Sequence, residues 1–355
     1  MNPKSSRSSL PANATLRTRL FSWAKLVRLP NGFTVVADVS AAFLLVLGAS
    51  GWLRSGDDRA GSVWPFLALV VASGVALYWG GMVLNDVFDI RADRRARSER
   101  PLPRREIRLA DARRVGWALL VAGMVLAALI GTVPGVIALL LSICIVAYDG
   151  PFKRTPIASV LMGGCRVLSF LLGSTAAHSV IPAEQWQGRV SVLGEPVWMH
   201  ITPVSFAFAI GMGLYITGVT TFARREAIGD RSLHLPWGWF GMTLGGLVLA
   251  LAPRVASLFL AANVPVDWTR GWQIDPVLIF PATIALMIVP TLARGWTAWR
   301  SPSPKRIQLT IKSAIMAIIP LMAAITMLGA GAIPSLCVFA LVIPSTWLAR
   351  RFRVT

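Results

Sequence analysis

Apolar blocks edged by basic residues constrain this chain more than any other feature. They run over residues 32 to about 48, 64–84, 115–132, 133–148, 157–177, 201–221, 236–251, 276–292, 309–328 and 333–348. A helix needs about 20 apolar residues to cross the hydrocarbon of a bilayer, and most of these blocks are close to that length. Only 14% of the 355 residues are charged while 55% are hydrophobic, a balance that a soluble chain of this size rarely has. The fold class expected is therefore all-α: a polytopic transmembrane helical bundle of nine or ten spans. The final two blocks decide between the two counts, and the basic residues near the C-terminus favour ten.

Lys and Arg outnumber Asp and Glu 35 to 16, giving a formal charge of +19. Such a surplus can serve nucleic acid, but here it collects at the ends of apolar blocks, which is the pattern of cytoplasmic loops. No nucleic-acid partner is expected; membrane lipids are. Residues 1–20 read as a disordered basic tail without the apolar core and small-residue cleavage site of a removable signal. Residues 21–353 read as one transmembrane domain with polar cap loops at 85–114, 148–156 and 220–235. The N-terminus and these loops are placed on the cytoplasmic side of a bacterial-type inner membrane. Cys144, Cys165 and Cys337 form no CxxC pair and are read as packing groups. Gly241 and Gly245 form a GxxxG pair, read as close helix packing.

The chemistry concentrates where the second block ends. On a helix, Asp86, Asp89 and Asp93 share one face at i, i+3 and i+7, and Asn85, Asp89 and Asp93 form an i, i+4, i+8 ladder beside them. Three carboxylates against a low-dielectric core repel one another, and a divalent cation with a taste for oxygen is the usual remedy. Mg²⁺ in particular takes one or two carboxylates and completes its shell with water and substrate phosphate. Ten arginines follow between Arg91 and Arg114. Acids with metal on one wall and guanidinium groups on the other suit a pyrophosphate. The Pro101, Leu102, Pro103 break is expected to end the ladder helix and turn the chain back over the site.

Two later loops on the same side mix charge in the same way. One runs from Tyr148 to Lys153 and Arg154; the other carries Arg224, Arg225, Glu226 and Asp230. Arg166, about ten residues into the fifth span, should face the bundle interior, and Asp38 in the first span calls for a cavity or a partner. Asp38 and Asn31 read equally well as site residues or as an Asp paired with a neighbouring helix and an interfacial Asn.

Asn85, Asp86, Asp89 and Asp93, followed by Arg97 and then Arg100, Pro101 and Leu102, resemble the first aspartate-rich motif of the UbiA-type intramembrane prenyltransferases. The loop from Tyr148 to Lys153 and Arg154 is similar to the lysine-bearing loop after the fourth span of that family. The resemblance covers roughly residues 22–330. It implies a helical bundle around a central cavity, with Mg²⁺ held by Asp86, Asp89 and Asp93 and oriented through Asn85. Diphosphate contacts fall to Arg97, Lys153 and Arg154, with Arg224 and Arg225 as further candidates, and an acceptor region to Arg28, Asn31 and Arg166. The reaction implied is Mg²⁺-dependent ionisation of a prenyl diphosphate and transfer of the prenyl group to an aromatic or lipid acceptor.

The second motif departs from the family. In place of two aspartates after the sixth span it has Thr220, Thr221, then Glu226 and Asp230 four residues apart, wording similar to a divergent UbiA-like subgroup, EboC. Glu226 and Asp230 could hold a second ion, or Arg224 and Arg225 could grip phosphate directly. The competing reading is a non-catalytic prenyl-lipid binder or carrier that kept the diphosphate site. Acceptor identity, prenyl length and oligomeric state are not encoded in any motif.

Overall fold

A computed structural model describes residues 16–50, 63–96, 99–181, 189–192, 195–198, 201–224, 234–259 and 275–352. In chain order the elements are α1 (Leu16–Leu26), α2 (Leu29–Ala49), α3 (Trp64–Phe88), α4 (Ile90–Ala96), α5 (Leu109–Ile130), α6 (Thr132–Asp149) and α7 (Ile157–Val180). A hairpin of β1 (Arg189–Val192) and β2 (Glu195–Trp198) follows, then α8 (Pro203–Ala223), α9 (His234–Phe259) and α10 (Pro276–Arg300). The chain closes with α11 (Pro304–Met316), α12 (Ile318–Ala330), α13 (Ala332–Ala340) and α14 (Val342–Phe352). Among the described residues ten stretches are long and apolar enough to cross a membrane. The chain is an integral, multi-pass, mainly helical membrane protein, and of the nine or ten spans expected, the ten favoured by the C-terminal basic residues are found.

Two of the ten stretches are broken helices, and proline explains both. A proline cannot donate to the carbonyl four residues back, and its ring crowds that carbonyl. Pro320 lies four residues past Met316, where α11 stops; Pro344 lies four past Ala340, where α13 stops. Helices α11 with α12, and α13 with α14, thus each make one crossing with a joint in it. Between α7 and α8 lies the antiparallel β1–β2 pair, in register Arg189 to Trp198 and Val192 to Glu195.

The helices close into a ring. α3 packs on α5 and α2, α6 on α7, α7 on α8, α8 on α9, α9 on α10, and α12 returns to α2. Helix α2 is its most enclosed member, with 83% of its apolar window buried, whereas the last crossing, over α13 and α14, has 6% buried. Where α2 meets α12 the backbones touch: a Cβ on Gly48 would strike the carbonyl of Gly329. The expected tight packing at Gly241 and Gly245 is present too. A Cβ there would collide with the backbone of Gly218 and of Tyr215, so α8 and α9 meet without side chains between them. Phe21 of α1 stacks on Phe352 of α14 with ring centroids 4.9 Å apart, which puts both ends of the described chain on one side.

Candidate active site

Helix α3 carries the start of the acid ladder, and its end decides where those side chains point. It stops at Phe88; Asp89 caps it with right-handed helical angles, and α4 resumes at Ile90. Hydrogen bonds from the Asp89 N–H to the Asn85 carbonyl (3.0 Å) and from the Asp93 N–H to the Asp89 carbonyl (2.9 Å) carry the register across the joint. The single helix expected for the ladder is therefore two, yet the spacing argument survives. Asp86 and Asp93 are buried, and Asp89 is half-buried.

The turn after α4 folds back as expected, although α4 ends at Ala96, before Pro101 is reached. Its key side chain is Arg100. One guanidinium nitrogen, Nη1, lies 3.1 Å from Asp86 Oδ1 and 2.8 Å from Asp93 Oδ2, joining carboxylates seven residues apart. Arg28 Nη2 stands 3.7 Å from the same Asp86 oxygen, and Lys153 Nζ donates to Asp89 Oδ2 at 2.5 Å. Three acids from α3, α4 and their joint thus face three bases from the start of α2, the turn before α5 and the loop after α6. The chain itself balances a patch for which sequence reasoning had invoked only a cation.

Arg28 reaches this position through an unusual backbone. Its φ of 49° and ψ of 54° lie in the left-handed region, between α1 and α2. For a residue other than glycine this conformation costs about 1–3 kcal/mol and persists where the surroundings enforce it. Here it turns the chain from α1 into α2 and leaves the guanidinium beside Asp86.

Sequence reasoning missed Asp149. It ends α6, is buried, and accepts a 2.5 Å hydrogen bond from Asn85 Nδ2. Asn85 therefore ties α3 to α6 and fixes one side of the ladder. The only available signal was an acid next to Tyr148 at the end of an apolar block, which the following Gly150 and Pro151 disguised as a turn.

The remaining candidates divide into three groups. Arg224 donates from Nη2 to the Thr155 carbonyl at 2.5 Å, which fastens the end of α8 to the lysine-bearing loop. Arg154 is exposed on that loop and makes no ion pair with the ladder acids among the described residues. Arg97, Arg225, Glu226 and Asp230 lie outside the described residues. Deeper in the bundle, Arg166 of α7 reaches across to α2, where Nη2 donates to Thr34 Oγ1 at 2.8 Å and Nη1 lies 3.5 Å from Asp38 Oδ2. A lone charge at mid-span costs about 2.5–3.5 kcal/mol on insertion, so Asp38 and Arg166 make sense only as a pair. Asn31 sits between the two clusters, with its carbonyl accepting from Thr34 Oγ1 at 2.7 Å and its side chain beside Tyr78.

Among the described residues no three acidic, His or Cys side chains are gathered as a ready metal site. The donor chemistry nonetheless fits Mg²⁺. Asp86 and Asp93 offer hard carboxylate oxygens that converge on one cationic nitrogen, and two carboxylates with phosphate and water are what this ion accepts.

The sequence pattern of the UbiA prenyltransferase family matches residues 39–310. Digeranylgeranylglyceryl phosphate synthase of Metallosphaera sedula is 30% identical over 252 residues, which cover 70% of this chain and 78% of that protein. The proteins of the same name from Ignicoccus hospitalis and Sulfurisphaera tokodaii are 29% and 30% identical, over 41% and 45% of this chain. The chain spans about half the length of these two relatives, 46% and 57%. In fold it is similar to a solved structure of digeranylgeranylglyceryl phosphate synthase, with a TM-score of 0.55 and 20% identity over 88% of this chain and 99% of that one. An apo UbiA homologue from Aeropyrum pernix K1 also gives 0.55, with 17% identity over 83% of this chain and 96% of the other. Motif, ring of helices and sequence match agree, and this chain belongs to the UbiA prenyltransferase family.

Proposed function

We propose that this protein transfers a prenyl group from a prenyl diphosphate to a lipophilic or aromatic acceptor within the membrane, with Mg²⁺ as cofactor. The observation that carries the reading is the convergence of Asp86 and Asp93 on Arg100, with Arg28 and the Lys153–Asp89 pair alongside. Three acids and three bases in balance can separate into two walls when a cation binds the acids and an anion binds the bases. A diphosphate complexed with Mg²⁺ supplies both at once. Related proteins named digeranylgeranylglyceryl phosphate synthase point to the same class of substrate.

In this reading Asp86, Asp89 and Asp93 hold the ion and Asn85, anchored on Asp149, keeps their helix in place. When bound, Mg²⁺ supplies the positive charge that stabilises the departing diphosphate. Arg28, Arg100 and Lys153 turn from the acids, and Arg154 from solvent, to phosphate oxygens, with Arg97, Arg224 and Arg225 as further diphosphate ligands. Fixed cationic groups aimed at a leaving group act where its charge develops. The allylic carbon–oxygen bond breaks with its electron pair on the diphosphate. The acceptor, held on the side of Arg28, Asn31 and Arg166, supplies the new bond to the prenyl carbon and gives up a proton. The cap loops at 85–114, 148–156 and 220–235 then belong to one domain over 21–353 facing the cytoplasm, a side favoured by their basic charge.

Purified protein in lipid nanodiscs with Mg²⁺ and radiolabelled geranylgeranyl diphosphate tests the proposal. Diphosphate release should fall at least about 100-fold in Asp86→Ala, with the variant still folded by thermal unfolding. Release at the wild-type rate in that variant refutes it. Binding without release in the wild type would favour the carrier reading, which the altered stretch from Thr220 to Asp230 keeps in play.

A further inference from the structure

The polar groups of α2 do not stop at the diphosphate cluster. Arg28, Asn31, Thr34 and Asp38 recur at helical spacing and run down one side of α2. At about 1.5 Å per residue, Asp38 lies about 15 Å along the axis from Arg28. The stripe ends in a fully enclosed carboxylate. Asp38 is 0% exposed, and neither of its oxygens makes a hydrogen bond of ordinary length, although Arg166 Nη1 is 3.5 Å away and Ser169 lies beside it. The guanidinium instead donates to Thr34, through Nη2 to Oγ1 at 2.8 Å and Nη1 to the carbonyl at 3.5 Å. Arg166 itself keeps 15% of its side-chain surface open while pointing at the most enclosed helix of the bundle. Five N–H groups are more than these contacts use. Tyr78 of α3 lies beside Asn31 and near both Arg28 and Arg166.

We propose that Arg166 is the recognition residue for the acceptor, and that the acceptor is uncharged and presents a hydroxyl or carbonyl oxygen to it. Asp38 is the positioning residue behind it. The charge balance carries the second half of this statement. Asp38 already cancels the charge of Arg166 in a region of low dielectric, so a carboxylate or phosphate placed on Arg166 would bring an uncompensated negative charge into the bundle. A neutral oxygen takes the free N–H groups without that penalty. Thr34 and Asp38 hold the guanidinium from two sides, so its direction is set before the acceptor arrives.

The inference rests on the prenyl-transfer reading, and the experiment separates the two. The wild type, Asp38→Asn, Arg166→Lys, Arg166→Met and the double variant Asp38→Leu with Arg166→Met are placed in nanodiscs with Mg²⁺ and labelled geranylgeranyl diphosphate. Each receives hydroquinone or 4-hydroxybenzoate, a neutral and a carboxylate-bearing phenol, and binding of each phenol is also measured without the diphosphate. Replacing both partners of a buried ion pair by apolar residues preserves stability far better than removing one, so the double variant keeps its thermal transition if the pair is merely structural or if it recognises the acceptor. Recognition predicts that the double variant and Arg166→Met bind geranylgeranyl diphosphate normally but lose hydroquinone binding and transfer by about 100-fold, as expected for a charge-assisted hydrogen bond. Arg166→Lys should recover part of the loss. Asp38→Asn, which uncovers the positive charge, should move the ratio of 4-hydroxybenzoate to hydroquinone binding upward by about tenfold or more. A double variant that binds and transfers as the wild type does, or an unmoved ratio in Asp38→Asn, overturns the inference. Absence of transfer in the wild type counts against the prenyl-transfer reading; the binding arms still decide the role of Arg166.

Discussion

Arg100 is the residue on which the resting cluster turns. It holds Asp86 and Asp93 together through a single nitrogen while only 22% of its own side chain is exposed. Its removal leaves two buried carboxylates facing each other with Arg28, at 3.7 Å, as the nearest remaining base to Asp86. Arg100→Ala should therefore lower stability by about 2 kcal/mol, less than a fully buried pair would because water still reaches the guanidinium. Mg²⁺ should recover more of the thermal transition in this variant than it adds to the wild type, since the ion takes over the same oxygens. Equal metal-induced shifts in the two proteins would show that Arg100 and the ion do not share a site. Much of this cluster was legible in the sequence, because Asn85, Asp86, Asp89 and Asp93 announce themselves by spacing alone. What was not legible is pairing across the chain. Lys153 with Asp89 spans 64 residues, as does Asn85 with Asp149. A separation of that kind is set by which helices become neighbours, and no local pattern records it.

Among elements, α8 and α9 show how glycine places the second half of the bundle. Gly218, Gly241 and Gly245 bring the two backbones into contact, and Arg224 at the end of α8 is thereby held where it can reach Thr155. A larger side chain at Gly245 has only the backbone of Tyr215 and Gly211 to displace, which cannot yield as a flexible side chain can. Gly245→Leu should cost about 1–3 kcal/mol or more, seen as a lowered unfolding temperature in detergent, and should weaken diphosphate binding through the displaced end of α8. A neutral effect on both would mean that the helices can slide apart freely. Helix existence was readable throughout, because each crossing is an apolar block of fitting length. The joints were harder. Pro320 and Pro344 stand inside such blocks, and hydropathy does not reveal that α11 and α13 stop four residues before them. The break at Asp89 has no proline or glycine to mark it; the switch from apolar span to charged cap is the sole sign.

For the whole molecule, α2 is synthesised before the crossings that surround it in the ring. It needs α3 and α7 on its flanks and α12 to close the remaining side at Gly48 and Gly329. These partners lie far apart in sequence, and contacts of that kind form late in folding. A chain ending after α10 lacks the closing helix, so it should be degraded or recovered as aggregates, whereas a chain lacking only the lightly buried crossing over α13 and α14 should still yield folded protein. Size-exclusion profiles of the two truncations check this, and equal behaviour would show that α12 is dispensable. The seam at Gly48 and Gly329 thus has a consequence for biogenesis: a nascent chain must keep α2 sheltered by the insertion machinery until α12 has left the ribosome.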